Sequence, residues 1–190
     1  VGSNLALVIP LVAFVVLAAV LIVLFRRASR ALARTRDEER FRRAVEDLAA
    51  RIDASLGGVI DRIDAVRRHQ VPPTEIEPNL VAAREAVTRY EAEAAALHGP
   101  VPADEVREGL LAELERASRA LAMVSHGCTL LAEEASARQR ELEGQTAIKR
   151  GYLNALHARE AIARHADDLA TGRPAEQRRW LSRRPSGPER

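Results

Sequence analysis

Cysteine, aromatic residues and lysine are scarce in this chain. Cys128 is the sole cysteine, so no disulfide can form within the chain, and a reducing compartment is compatible with that. Three Phe, two Tyr and one Trp cannot build the aromatic centre of an ordinary globular enzyme. Only Lys149 among 29 basic residues is lysine, which resembles the codon bias of a GC-rich genome more than a functional choice. Phosphate-binding glycine loops are missing: there is no GxGxxG, no Walker A sequence and no strand to precede either. A serine nucleophile would need a base and an orienting acid, and no G-x-S-x-G is present. What remains is 190 residues rich in Ala, Leu, Glu and Arg, the composition of long helices.

Leu5 to Phe25 is an unbroken apolar run of 21 residues. At about 1.5 Å per residue it would reach across the roughly 30 Å hydrocarbon core of a bilayer. Arg26, Arg27, Arg30, Arg34 and Arg36 follow before the first acid, Asp37. Cytoplasmic flanks carry the Arg excess, so these five residues are expected at the membrane interface. Residues 1–4 then form a short extracytoplasmic end, 5–25 a transmembrane helix, and the rest lies inside. The resulting expectation is a single-pass protein of the cytoplasmic (inner) membrane with the lipid bilayer as a partner.

Beyond the run the sequence is periodic. Phe41, Val45, Leu48, Ile52, Leu56, Val59, Ile63 and Val66 are spaced 4, 3, 4, 4, 3, 4, 3. That is a heptad seam with one stutter near Leu56, where Gly57 and Gly58 each cost about 1 kcal/mol relative to Ala. Residues 26–70 are therefore expected to form a basic juxtamembrane segment and helical stalk, stopped by Pro72, Pro73 and Pro78. A short helix follows over 79–98, with Leu80, Ala83, Val87, Tyr90, Ala94 and Leu97 on one face. Asp104 is the expected N-cap of a third helix, whose stripe is Val106, Leu110, Leu114, Ala117, Leu121, Val124, Cys128, Leu131 and Ala135. The pattern thins to Leu142, then resumes through Ile148, Tyr152, Ala155, Ile162, Ala166 and Leu169, with Arg159 breaking the seam. Without a proline between Ala103 and Gly172, one long helix is expected over 104–171, with a hinge at Gly144 or Gly151.

The fold class implied is all-α: an N-terminal transmembrane helix continuing into an extended cytoplasmic coiled-coil or helical-bundle region. Acid-to-Arg pairs four residues apart, such as Asp47 with Arg51 and Glu115 with Arg119, mark faces built to live in water. Residues 74–145 hold 14 acids against 7 Arg, while 146–190 hold 10 basic residues against 5 acids.

Candidate chemistry is thin. His157, Glu160, His165 and Asp168 do not follow the Glu-then-His order of di-iron bundles, and His157 and His165 lie about 12 Å apart along a helix, so no metal is expected. Cys128 falls in the seam register, where a thiol behaves as a small buried hydrophobe. No catalytic or cofactor-binding residue is assigned, and an enzyme is not expected. The tail, 172–190, carries six Arg against two Glu around Trp180 and Leu181, and with three prolines it is expected to be a disordered basic segment. Contact with anionic lipid suits it; nucleic acid is the less favoured partner. The function expected is a membrane-anchored interaction or scaffolding protein that uses its seams to pair with a helical partner or with itself. A membrane-linked sensor or regulatory subunit, whose helix packing switches state, is the alternative.

Overall fold

The computed structural model describes residues 3–99, 103–132 and 138–171, with side chains from Leu21 onward except at six positions between 23 and 34. Among the described residues there are four helices and no strand: α1 (Ser3–Arg67), α2 (Pro73–Ala95), α3 (Ala103–Ala132) and α4 (Arg138–Ala170). The all-helical class holds. The chain divides into two units, Val1–Arg40 and Phe41–Arg190.

In the first unit, Leu21, Ile22, Leu24 and Phe25 of α1 are exposed, and Arg40 pairs with Asp37 at 3.6 Å. Among the described residues no helix is long and apolar enough to cross a membrane. The transmembrane segment expected over 5–25 is corrected accordingly, and the inner-membrane localisation that rested on it is not kept. A span needs about 20 consecutive apolar residues. The described side chains of the run are those four, and Arg26 and Arg27 follow them at once in the same helix. The side chains of residues 3–20 lie outside the described ones.

The second unit is a bundle. Rising numbers on α1 meet falling numbers on α2, through Arg51 with Glu93, Ser55 with Tyr90 and Arg62 with Asn79. The same reversal joins α3 to α4, where a Cβ on Gly127 would meet Gly144, one on Gly151 would meet Val124, and one on Gly109 would meet His165. It also joins α4 to α1, with Arg159 on Asp53 and Arg67 over Tyr152. Each neighbour is thus antiparallel, and α1 to α4 run up, down, up, down around one core.

The core is made by the periodic stripes. All eight seam residues of α1 from Phe41 to Val66 are buried, as are Leu80, Val87, Val106, Leu110, Leu114, Leu121, Val124, Ile148 and Ile162. Each large aliphatic side chain removed from water contributes about 1.5–3 kcal/mol, so covering its stripe adds to each helix's own propensity and holds it in place. The seams are spent on one another within the chain.

Three boundaries differ from expectation. Where one helix was expected over 104–171, there are two antiparallel helices: α3 ends at Ala132 and α4, which holds both Gly144 and Gly151, begins at Arg138. Leu142 accordingly stands exposed in the first turns of α4. The start of α2 is also earlier than 79: Pro73 takes the first helical turn, where its missing N–H is no loss, and Pro78 is accommodated inside the helix, bringing Ile76 into the core. At its other end α1 closes on His69, whose φ of 58° places it in the left-handed region. The His69 N–H donates to the Val66 carbonyl and the Gln70 N–H to the Ala65 carbonyl, a Schellman closure in which histidine holds the position glycine usually takes.

Gly144 and Gly151 are contact points. A Cβ on Gly144 would lie 3.0 Å from the Gly127 carbonyl oxygen, and one on Gly151 would lie 2.7 Å from that of Ala120. Glycine here lets the α3 and α4 backbones approach closely.

Candidate functional site

The polar contacts that stitch the bundle are the chemistry-bearing groups with defined geometry. On the α1–α4 side, the Arg159 guanidinium grips Asp53 with two bonds, Nε to Oδ1 at 2.6 Å and Nη2 to Oδ2 at 3.1 Å. One turn along α1 sits Gly57, where a Cβ would lie 3.4 Å from the Arg159 Cζ. The two irregularities of the sequence, a glycine in one seam and an arginine in another, therefore meet. Gly57 lies within van der Waals range of the guanidinium, where an added Cβ would make an ordinary contact. That pairing holds the Asp53 carboxyl below its ordinary range, chiefly through the hydrogen bonds from Arg159, and raises Arg159 in turn; Asp61 and Glu160 add to the latter.

A carboxyl whose folded pKa is depressed stabilises the fold above its unfolded pKa of about 3.9 and loses that contribution as pH falls through the folded value. Asp53 is half-exposed, so water screens the pair and the effect is small, about a few tenths of a kcal/mol. Acid titration of stability should therefore show a shallower fall below about pH 4 in an Asp53→Asn variant than in the parent. Superimposable acid limbs would show that the pair contributes nothing.

Between α1 and α2, Arg51 reaches Glu93 at 2.6 Å and Asp47 at 3.1 Å, and lies over the Tyr90 ring 5.8 Å from its centroid. The hydrogen bond from Arg51 lowers the Glu93 pKa. Tyr90 and Ser55 share a hydrogen bond of 2.7 Å. Alongside runs a shallow open groove lined by Ser55, Gly58, Arg62, Asn79, Ala82 and Ala86. Between α2 and α3, the Ser125 hydroxyl donates to the Glu77 carboxylate at 3.0 Å.

The residues singled out from sequence scatter. Arg26, Arg27 and Arg36 are exposed on α1, and the side chains of Arg30 and Arg34 lie outside the described residues. Cys128 is buried, and burial pushes its thiol up to about 11, with the Glu77 charge adding to the rise. Its neighbour His126 is exposed, so the two do not share a site. His157 and Glu160 are exposed, and His165 is half-buried against Gly109. Among the described residues no group of three or more His, Cys, Asp and Glu is placed to hold a metal ion. The basic tail with Trp180, over 172–190, lies outside the described residues. No protein-family model, no curated protein and no solved structure matches the chain.

Asp53 was not legible as a partner of Arg159. It stands one place off the seam, and a separation of 106 residues hides the pairing from any local pattern. The one available signal was that Arg159 broke its stripe: an arginine at a seam position implies a carboxylate within reach.

Proposed function

We propose that the chain is a protein-binding module, an interaction or scaffolding component rather than an enzyme, and that the described apolar stretch of α1 is its docking surface. The observation that carries this reading is the exposure of four large apolar side chains within five residues: Leu21 at 58%, Ile22 at 57%, Leu24 at 56% and Phe25 at 76%. Burying apolar side chains gathered this densely is favourable, and such patches mark interaction sites. The seams of the bundle cannot serve as the docking surface while the bundle is closed, because their residues are already buried within the chain. A helical partner, from a second copy or another chain, supplies the cover through its own apolar face.

A photoreactive side chain in place of Phe25 should therefore give polypeptide adducts in cells, whereas the same group in place of the exposed Ala112 on α3 should not. Adducts at Phe25 no more abundant than at Ala112 would defeat the reading. The sizes of the adducts separate a second copy from a different partner.

A further inference from the structure

We infer that the partner covering the apolar stretch of α1 is a different chain, an acidic amphipathic helix that sets carboxylates along both edges of its apolar face. This deepens the docking reading above and rests on it. The first support is where the arginines stand. At about 100° per residue, Leu24, Leu21, Phe25 and Ile22 fan across an arc of about 160° on α1. Arg27 comes next beyond Leu24 at one edge, and Arg26 next beyond Ile22 at the other. Both are exposed. Arg36, also exposed, returns close to the direction of Phe25 about 16 Å further along the helix. Positive charge thus frames the patch on two sides and at one end. In paired helices the positions flanking the apolar seam are the ones whose charges choose the partner.

The second support is the sign of the flank. From Leu21 to Arg36 there are five arginines and no Asp or Glu. A partner with carboxylates at its edges meets charge of one sign along this whole stretch, which steers its approach and fixes its register. An uncharged helix covers the same apolar area without that gain, and a basic one does so against repulsion.

The third support sets aside a second copy of this chain. Parallel and in register, its Arg26 and Arg27 would face the same two residues, and like charges set against each other across an interface are costly. Antiparallel about the patch, it would bring to them residues that precede Leu21, none of which is acidic. Sliding the antiparallel copy until Glu38 reaches Arg26 would lay Leu21 to Phe25 along residues 39–43, four of which are charged. The fifth, Phe41, is buried in the bundle. No register of a second copy satisfies the apolar face and the arginines together.

Peptide binding to the full chain tests it. One designed amphipathic helix with a leucine face is made in two versions, with Glu or with Lys along both edges, and affinity is read by fluorescence anisotropy. The Glu version should bind at least about tenfold more tightly at low salt, and the margin should shrink as salt rises. Arg26→Glu with Arg27→Glu should reverse the preference and leave the circular dichroism of the chain unchanged, since both residues are exposed. Phe25→Asp should weaken both peptides alike. Equal affinity for the two versions would overturn the acidic partner and leave the docking surface standing, whereas binding of neither would remove both readings. A Glu preference that survives the double variant would place the attraction elsewhere on the chain. Stronger capture by phosphatidylglycerol vesicles than by the Glu peptide would make the occupant an anionic lipid surface. Either result overturns the inference.

Discussion

Leu121→Asp unfolds most of the population at room temperature. Leu121 is fully buried in the middle of α3, within the core to which all four helices contribute. Truncating a buried leucine costs about 2.7–5 kcal/mol through lost burial and the cavity left behind. A carboxylate there adds a desolvation penalty of several kcal/mol unless it is protonated or α3 rotates. A domain's total stability is only about 5–15 kcal/mol, so the two costs together consume most or all of it. Far-ultraviolet circular dichroism of the full chain should show a large loss of helix, or a urea midpoint far below that of the parent. Arg119→Ala is the matched control: its pair with Glu115, at 2.8 Å, has both side chains about two-thirds exposed, and its loss should move the midpoint hardly at all. Two variants melting with the parent would show that α3 does not present the face described.

Gly151→Ala destabilises the bundle although Gly58→Ala stabilises it, and the contrast isolates tertiary packing from helix propensity. Propensity alone favours alanine by about 1 kcal/mol at both positions. At Gly58 nothing stands within 4 Å of the added Cβ, so that gain is realised. At Gly151 the same atom would arrive 2.5 Å from the Val124 Cγ2 and 2.7 Å from the Ala120 carbonyl oxygen. The valine can turn aside, but the carbonyl belongs to the α3 backbone and yields only if the helices move apart. Overpacking of this kind costs about 1–3 kcal/mol, outweighing the propensity gain. Denaturant midpoints should move in opposite directions. A rise in both would place α3 and α4 further apart than their glycines indicate.

The inward faces could be read from spacing because a stripe at helical period has one reason to exist. Phe41 through Val66 on α1 and Val106 through Cys128 on α3 are named by the period and are buried. Residues beside the seam were less visible. Ala49, Ile60 and Ala120 are buried because a bundle covers a wider arc of each helix than a two-stranded seam does. Ile76 was hidden by Pro78, which reads as a stop until the helix is seen to tolerate it. For the candidate site, Arg159 was conspicuous as a fault in its stripe, whereas Asp53 looked like any solvent-facing acid.

By itself the sequence determined that the described chain is helical and which face of each helix is apolar, because both follow from interactions within a few turns: propensity, period and the placement of Pro and Gly. It also suggested a membrane span from the length of one apolar run, a conclusion the described helices do not uphold. Only the tertiary structure decided which helices are neighbours, that α4 runs antiparallel to α3, and that Gly57 lies beside a guanidinium while Gly151 meets a neighbouring backbone. Those outcomes depend on atoms brought together from positions tens of residues apart. No local period encodes such a meeting, so a glycine that reads as a flaw along its own helix becomes a point of contact once another helix lies against it.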